Sequence, residues 1–217
     1  MNSNIPEGRR LIAGPGPRFI LAGGVIFLLG LFINSTWLAL LGLLTAGFFA
    51  YFFRDPERAI PQEPGLVISP ADGRVVFVDE VREDRFLGRT AQRVAIFMNV
   101  FDVHVNRSPL AGTVVTSVHR PGGYLPANRG AAAQVNEQQA TLLEGEGGLR
   151  VLVVQIAGLL ARRIISYVRP GQHLGRGERL GLICFGSRVD LYLPPEAEIL
   201  VKVGDRVQAG SSIITRF

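Results

Sequence analysis

A long stretch without charge constrains this chain more than any other feature of its sequence. Residues Phe19 to Phe53 form 35 consecutive positions without an Asp, Glu, Lys, Arg or His. An apolar stretch of that length is typical of a membrane segment. A cleaved signal peptide is the alternative, but its apolar core is shorter and a small-residue cleavage site would follow it. The sequence therefore predicts that this part of the chain is attached to a membrane.

Three polar residues, 34–36, divide the stretch into the halves Phe19–Ile33 and Trp37–Phe53. As helices these halves would measure roughly 22 to 26 Å, less than the hydrocarbon core of about 30 Å. Their length favours a tight hairpin of two short helices, or one tilted span with an interfacial piece. Positive residues on both sides favour both ends in the cytoplasm. These residues are Arg9, Arg10, Arg18, Arg54 and Arg58.

The sequence predicts three regions: a cytoplasmic tail (1–18), the membrane segment (19–53) and one mostly β domain of α+β type (54–217). In the domain, short runs rich in β-branched residues alternate with Gly, Pro and Asp, as is typical of strands. Only Leu125–Gln139 favours helix, and a short one. The predicted strands are Val75–Val78, Val94–Val105, Val114–Val118, Val151–Ile156, Leu180–Leu193 and Ile199–Val203.

Two segments of the β domain are alike. Pro61–Val78 and Pro194–Ile214 each combine an Asp-Gly or Gly-Asp turn with flanking strands. The second segment also resembles, around Gly204 and Asp205, the turn of biotinyl and lipoyl barrel-sandwich domains. This likeness predicts a barrel-sandwich-like domain with a duplicated hybrid motif. It leaves open a membrane-anchored barrel-sandwich adaptor without catalysis as an alternative function.

The composition excludes several kinds of chemistry. Lys202 is the single lysine among 23 basic residues, so any lysine-borne cofactor would have to be attached there. Cys184 is the single cysteine, which excludes an internal disulfide framework. Three scattered histidines do not match a zinc motif, and no metal site is predicted. The net charge of +5 comes from dispersed arginines, which does not favour nucleic acid as a partner.

A run of alternating residues offers a candidate base. Asp102, His104 and Asn106 alternate with Val103 and Val105, so on a strand the three polar side chains would share one face. A carboxylate beside an imidazole could orient it as a general base. The alternative is that the three side chains form the exposed polar face of an amphipathic strand.

Two turns hold further candidates. Asp72 lies in the turn Ser69–Arg74, and Gly186-Ser187 separates two apolar strand segments. A glycine within a strand often marks a bulge or a close approach to the backbone. Ser187 could attack the Gly186 carbonyl group, because glycine adds no steric hindrance and tolerates a strained dihedral angle. Gly-Ser pairs are common, so spacing alone leaves a plain turn as the alternative.

Together these motifs resemble those of the phosphatidylserine decarboxylase family in its short proenzyme form. They occur in the family's order over nearly the whole chain, and their combination is specific although no single motif is. The matching segments are Phe53–Pro56, Ser69–Gly73, Phe101–Pro109, Pro121–Gly122, Asn136–Glu137, Gln155–Gly158 and Phe185–Asp190.

The resemblance implies that the protein cuts itself between Gly186 and Ser187, giving chains 1–186 and 187–217. Ser187 would become a covalent pyruvoyl cofactor by autocatalytic serinolysis. The processed enzyme would decarboxylate phosphatidylserine to phosphatidylethanolamine and CO₂ through a Schiff base on that group. An ether-linked phosphoserine lipid is an alternative substrate. By the same resemblance, His104 is the catalytic base and Asp72 its orienter.

This sequence departs from the longer family members at two places. They carry Leu-Gly-Ser-Thr at the cleavage site, where this chain has Phe185-Gly186-Ser187-Arg188. They also carry a second histidine where this chain has Arg107, which leaves open whether His104 serves two roles or Arg107 or His119 takes one. Whether Asp72 or Asp102 orients His104 is open as well. Arginines bind phosphate and carboxylate in a bidentate manner. Possible substrate contacts are Arg188, Arg107, Arg162 and Arg163.

The resemblance also implies partners and a location. Phosphatidylserine is the expected substrate, and an anionic membrane surface is the expected binding partner. The two cleavage chains are expected to remain together as a heterodimer and to assemble into a higher oligomer. The expected location is the inner membrane of a bacterial cell, with the catalytic domain on the cytoplasmic face.

Overall fold

A computed structural model of the chain describes residues 11–159, 163–184 and 186–217. The chain divides into two compact units, and the boundary between them lies between Glu57 and Arg58. The first unit is helical. The second unit is mostly β, which confirms the predicted fold class.

The first unit contains a helical hairpin of α1 (Gly16–Phe32) and α2 (Thr36–Phe52), with 17 residues in each helix. Pro17 lies in the first turn of α1, where its missing N–H group would have no helical partner. Asn34 adopts a φ of 54° in the connection and reverses the chain. The structure thus has the two short helices of the hairpin prediction, and their location in a membrane stays a prediction.

Small residues form the contact between the two helices. A Cβ atom added at Gly23, Gly30 or Gly42 would overlap the backbone of the opposite helix. The glycines therefore allow the helices to approach closely, as in packed membrane helices. Large apolar side chains cover the outside of the hairpin. The most exposed of them include Leu21, Leu28, Phe32, Trp37 and Leu44.

Within the described residues, neither of these helices nor any other combines the length and the apolar character needed to cross a membrane.

The second unit contains, in its described residues, fourteen β-strands, a four-residue helix and a 3₁₀ turn at Glu146–Gly148. The helix is α3 (Ala132–Val135). The strands are β1 (Leu66–Ile68), β2 (Gly73–Glu83), β3 (Arg89–Met98), β4 (Val105–Arg107), β5 (Gly112–Arg120), β6 (Gln138–Gly145), β7 (Arg150–Ile156), β8 (Ile164–Ser166), β9 (His173–Leu174), β10 (Arg179–Ile183), β11 (Ser187–Leu193), β12 (Glu198–Ile199), β13 (Arg206–Val207) and β14 (Ile213–Arg216).

Eight of the strands form one antiparallel sheet in the order β13-β2-β3-β11-β7-β6-β5-β9. Two three-stranded sheets accompany it, with the orders β1-β14-β12 and β4-β10-β8. β11 lies in the interior of the large sheet, paired with β3 on one side and β7 on the other. The finer interpretation as a barrel-sandwich domain stays a prediction.

The two segments that look alike in sequence pair with each other. β1 pairs with β14, and β2 pairs with β13, in both cases antiparallel. Between these pairs the Ser69 N–H group donates to the Ser212 carbonyl at 2.7 Å, and the Gly210 N–H group donates to the Ser69 carbonyl at 2.9 Å. The C-terminal end of the chain is therefore bonded to the beginning of the β unit.

Several predicted boundaries were wrong. The predicted strand Val94–Val105 breaks into β3 and β4, because Asn99 and Asp102 close a turn between them. The run Leu180–Leu193 forms two strands, β10 and β11, which agrees with the expectation that Gly186-Ser187 separates two strand segments. The last predicted strand ends at Ile199 rather than Val203, and the predicted helix around Leu125–Gln139 shortens to α3.

Candidate active site

β11 separates two kinds of side chain on the two faces of the large sheet. Alternate residues of a strand point to opposite faces. Val189 and Leu191 belong to the main apolar core, so Ser187 lies on that face as well. Tyr192 packs in a second apolar cluster on the other face. Arg188 is four residues from Tyr192, so its side chain points to that face as well. All seven residues of β11 are buried, so Ser187 begins a fully enclosed strand.

Gly186 precedes this strand in a conformation that favours glycine. Its φ is +55°, in the left-handed region, which other residues seldom adopt. A Cβ atom at this position would meet no other atom within 4 Å. The requirement for glycine at position 186 is therefore conformational and not steric. It agrees with the expectation that this residue takes up an unusual dihedral angle.

The Ser187 hydroxyl group lies in a buried polar chain. It donates a hydrogen bond to Met98 Sδ at 3.5 Å, and Asn106 Nδ2 donates to the same sulfur at 3.7 Å. Gln155 Nε2 donates in turn to Asn106 Oδ1 at 2.8 Å. Thioether sulfur is a weak acceptor, so the hydroxyl group is held loosely. Gln155 fixes the orientation of the Asn106 amide group, which points its NH₂ towards Met98.

His104 is fully buried just before β4, two residues from Asn106 in the sequence. Its Nδ1 atom lies 2.9 Å from the backbone carbonyl oxygen of Asp102. A carbonyl group only accepts, so Nδ1 carries the hydrogen, and in a neutral ring Nε2 is then the basic nitrogen. The backbone carbonyl of His104 accepts from the Ile183 N–H group at 3.3 Å. This bond ties His104 to the end of β10.

The predicted alternation around His104 is only partly correct. Asp102 ends a turn, in which its carboxylate accepts from the Asn99 N–H group at 2.8 Å, and Val103 and His104 lie between that turn and β4 rather than on a strand. Asp102, His104 and Asn106 are all buried. The alternative of an exposed polar face is therefore wrong.

The two candidate carboxylates are each bonded to an arginine. Asp72 Oδ2 lies 2.7 Å from Arg58 Nη2, and Asp72 Oδ1 accepts from the Ala209 N–H group at 2.8 Å. Asp102 Oδ1 lies 2.6 Å from Arg206 Nη2. Burial raises the pKa of Asp72, Arg58 and the Ala209 N–H group lower it, and the charge of Asp102 raises it further. The two carboxylates therefore interact through their charges.

Arg188, a predicted substrate contact, lies in the interior of the protein. Its Nε and Nη2 atoms form a bidentate ion pair with Asp190 at 2.7 and 2.9 Å. Its Nη1 atom donates to the carbonyl oxygens of Ala127 at 3.1 Å and Arg129 at 3.0 Å. Its guanidinium also lies over the ring of Phe77. These are the contacts of a structural residue, and a substrate contact by Arg188 stays a prediction.

The other predicted arginines are in different surroundings. Arg107 is buried on β4, and its Nη1 atom donates to the Gly177 carbonyl at 2.9 Å. Arg163 is exposed, and its backbone carbonyl accepts from the N–H group of Cys184 at 3.1 Å. Burial raises the pKa of the Cys184 thiol to about 11. Arg162 lies outside the described residues. The substrate roles of these arginines stay predictions.

His119, the other candidate for a histidine role, interacts with Glu137. Its Nε2 atom lies 3.0 Å from Glu137 Oε1, and the Tyr124 hydroxyl group donates to Glu137 Oε2 at 2.9 Å. His119 lies on β5, and β6 and β7 lie between that strand and β11. The structure therefore does not place His119 on a strand next to Ser187.

Among the described residues, no three His, Cys, Asp or Glu side chains are grouped so that they could hold a metal ion.

Sequence reasoning missed several residues of this site. Met98 and Gly158 contact the Gly186–Ser187 segment although they are distant in the sequence, and neither residue type signals such a contact. Gln155 carried a usable signal, because it is a polar residue in the otherwise apolar run Val151–Ile156. A polar residue at a buried strand position needs a hydrogen-bond partner, and here the partner is Asn106.

Comparison with known proteins identifies the family. The family model for phosphatidylserine decarboxylase matches residues 45–215. The chain belongs to the phosphatidylserine decarboxylase family. Curated relatives named phosphatidylserine decarboxylase proenzyme include one from Symbiobacterium thermophilum, 50% identical over 96% of both chains. Another from Syntrophus aciditrophicus is 44% identical over 95% of this chain and 97% of its own. A third, from Nitrosomonas eutropha, is 45% identical over 95% of both chains.

The match to the phosphatidylserine decarboxylase family includes every residue of the described site. Its range extends from α2 to β14 and so contains Asp72, His104, Gly186 and Ser187. Membership of a family of decarboxylases confirms the predicted resemblance. It also favours an enzyme over the barrel-sandwich adaptor.

Proposed function

We propose that this chain is a self-processing enzyme that decarboxylates phosphatidylserine to phosphatidylethanolamine and CO₂. The observation that carries the proposal is the Gly186–Ser187 peptide. A glycine in the left-handed region precedes a buried serine at the first position of an interior strand. The names of the relatives, which are decarboxylase proenzymes, support both the reaction and the processing.

Self-cleavage begins when the Ser187 hydroxyl oxygen attacks the carbonyl carbon of Gly186 and its proton moves to a base. The C–N bond to Ser187 breaks, which gives an ester and a free amine. Removal of the Cα proton of residue 187 then breaks its Cβ–O bond and releases Gly186 as a carboxylate. The resulting dehydroalanine tautomerises, consumes one water molecule and releases ammonia, so residue 187 becomes a pyruvoyl group.

His104 is the base in this proposal. Its bond to the Asp102 carbonyl leaves Nε2 as the proton acceptor of the neutral ring, and burial limits competition from water. The bond to Asp102 also favours the main chain at position 102 as the orienter of the ring. Asp72 is a second carboxylate whose charge interacts with that of Asp102, and its ion pair with Arg58 holds it in place.

The surroundings of residue 187 fit a pyruvoyl group built into the chain. Position 187 is enclosed, and β3 and β7 hold the backbone of β11 on both sides after the chain is cut. Among the described side chains, the Asn106 NH₂ group is a donor that shares the Met98 sulfur with the Ser187 hydroxyl group, and it could donate to the pyruvoyl ketone. A pyruvoyl ketone supplies an electrophile for the substrate amine and accepts the electrons left when CO₂ departs.

The two product chains remain together in this proposal. Residues 187–217 contain β11 to β14, and each of these strands pairs with a strand of the larger chain or with β14. Separation would expose the buried side chains of β11 to water, which is strongly unfavourable. The processed enzyme is thus a heterodimer of its own fragments, and we propose that it assembles further into an oligomer.

The helical hairpin is the membrane attachment in this proposal. Its exposed surface carries large apolar side chains such as Phe32 and Trp37, a surface that fits lipid better than water. A lipid substrate must be reached at the bilayer surface, which gives the attachment a reason. We place the enzyme at the inner membrane of a bacterial cell, with the β unit on the cytoplasmic face.

Mass spectrometry of the purified full-length protein tests the cleavage. The expected products are chain 1–186 and a chain 187–217 that has a blocked N-terminus and lacks the amine of serine. A Ser187→Ala variant should remain a single inactive chain. Intact, unblocked protein with decarboxylase activity would contradict the mechanism. Diacyl and dialkyl phosphatidylserine in parallel assays would separate the ester-linked from the ether-linked lipid as substrate.

A further inference from the structure

We propose, on the basis of the self-cleavage proposed above, that Gly158 sets the position of the Gly186 carbonyl group for attack by Ser187. The side chain of Asn136 holds Gly158 in place. Both are positioning residues that act through the backbone of Gly186. The family resemblance offers the segments that contain them as matches but gives neither residue a role.

Gly158 leaves no room for a side chain beside the carbonyl group that is to be attacked. A Cβ atom at position 158 would overlap the Gly186 carbonyl oxygen and would lie 3.0 Å from its carbon. The φ of Gly158 is outside the left-handed region, so the backbone itself would accept alanine. The two glycines therefore serve different needs: Gly186 is required for its conformation and Gly158 for the space it leaves.

Asn136 fixes the residue that precedes Gly158. Its Nδ2 atom donates to the carbonyl oxygens of Ala157 and Leu125, both at 2.7 Å, and its Oδ1 atom accepts from the Leu125 N–H group at 2.8 Å. The Ala157 N–H group donates to the Glu137 carbonyl at 3.0 Å. Both backbone polar groups of Ala157 are thereby bonded. The peptide plane that carries the nitrogen and Cα of Gly158 is therefore held in place.

Ala127 also lies close to Gly158. The Cβ atom of Ala127 lies 3.3 Å from where a side chain at position 158 would begin. Arg188 holds Ala127, because its Nη1 atom donates to the Ala127 carbonyl oxygen. The contacts thus form a ring that runs from Gly186 through Ser187 and Arg188 to Ala127, and back through Gly158 to Gly186.

In the proenzyme this ring of contacts would position the Gly186 carbonyl group for attack. Attack by a hydroxyl group requires the carbonyl carbon to be held within reach and at the correct angle. Gly186 precedes the first residue of β11 and is not among the residues that pair with β3 or β7. Contact with Gly158 limits where the carbonyl oxygen can lie. It therefore supplies the constraint that the sheet does not.

The test compares Gly158→Ala with Gly130→Ala in the full-length chain. Gly130 is the matched control, since a Cβ atom there meets nothing within 4 Å and its φ is also outside the left-handed region. Each protein is made by cell-free synthesis, and the 187–217 fragment is followed over time by mass spectrometry. A misplaced reacting group costs about a hundredfold in rate for 1 Å, so we expect Gly158→Ala to cleave about a hundredfold more slowly. Gly130→Ala should cleave like the unaltered chain.

Hydroxylamine distinguishes positioning for attack from an effect on a later step. It cleaves the ester, so it would release residues 187–217 from a variant in which attack has occurred and elimination is slow. We expect no such release from Gly158→Ala. Release of the fragment, or cleavage at the unaltered rate, would overturn the proposal. If the unaltered chain itself never yields the fragment, the proposed function fails instead.

A second variant covers the case in which Gly158→Ala does not fold. Asn136→Asp keeps the acceptor for the Leu125 N–H group but loses both donated bonds, and it leaves Gly158 unchanged. Folding is checked by thermal unfolding of each variant combined with Ser187→Ala. Slow cleavage by a folded Asn136→Asp protein, without ester accumulation, supports the proposal. Cleavage at the unaltered rate overturns it.

Discussion

Ser187 and Arg188 are neighbours in the chain, but their side chains lie on opposite faces of the large sheet. Ser187 faces the main core with Met98, whereas Arg188 forms its ion pair with Asp190 on the other face. The strand thus has the proposed nucleophile on one face and a buried ion pair on the other. Arg188 has structural contacts although it is adjacent to the proposed cleavage site.

Loss of the Arg188 ion pair should destabilise the protein strongly. Arg188→Met leaves the fully buried Asp190 without its main partner, which typically costs about 3 to 5 kcal/mol. Urea unfolding of the variant in a Ser187→Ala background measures this cost on a single chain. Arg82→Met is the control, because its partner Asp84 is exposed and the pair contributes at most about 1 kcal/mol. Equal costs for the two variants would contradict the assignment.

The buried amide pair of Asn106 and Gln155 should show coupling. Gln155→Met removes the donor to Asn106 Oδ1 and leaves a buried acceptor unpaired, a cost of about 1 to 3 kcal/mol. The double variant Asn106→Leu/Gln155→Met leaves neither partner unpaired. It should therefore cost less than the sum of the single changes, by about 1 kcal/mol. Urea unfolding in the Ser187→Ala background gives the three values, and strict additivity would argue against a specific pair.

The charge of Asp72 should make stability depend on pH. The pKa of Asp72 is raised in the folded chain above the ordinary 3.8, so the folded chain holds this proton more tightly than the unfolded chain does. The stabilisation by the protonated carboxyl group is complete below that pH. It is lost as the pH rises through the folded pKa. Between about pH 4 and pH 7, the Ser187→Ala protein should therefore lose free energy of unfolding relative to Ser187→Ala/Asp72→Asn. A difference that stays constant or changes in the opposite direction would show that the pKa is not raised.

Trp37 should report membrane binding directly. It is the only tryptophan in the chain and its side chain is 84% exposed, at the beginning of α2. On addition of phosphatidylethanolamine and phosphatidylglycerol vesicles we expect its emission to shift to shorter wavelengths. Leu44→Arg should weaken the shift, because an arginine on the apolar surface opposes burial in lipid. Val203→Arg is the control, since Val203 is an exposed apolar residue of the β unit, and it should leave the shift unchanged.

The sequence predicted those strands of the β unit that local residue patterns determine. β2, β5 and β7 lie within or around their predicted runs because β-branched residues mark them directly. The turn that separates β3 from β4 was missed, since it contains neither Gly nor Pro and closes through bonds between Asn99 and Asp102. The pairing of β1 with β14 was beyond local patterns as well. It joins residues near the two ends of the unit.

In the candidate site, too, the residues marked by a local motif were predicted and those brought in by distant strands were missed. Gly186 and Ser187 were predicted because chemistry and family resemblance both point to that dipeptide. The contact from Met98 depends on the register of β3 against β11, which pairs Ser187 with Met98. The role of Gly158 depends on an absent side chain, which no pattern of residue types reveals. Positions such as these can be found only from the assembled sheet.

In the proposed processed enzyme, a cut at the start of an interior strand would change the kinetics of refolding. Before cleavage the sheet forms within one chain, and its assembly does not depend on concentration. After cleavage β11 would belong to a separate 31-residue chain, so any refolding would become a second-order reaction between two molecules. The lifetime of the processed enzyme would then be set by the rate at which the sheet unfolds.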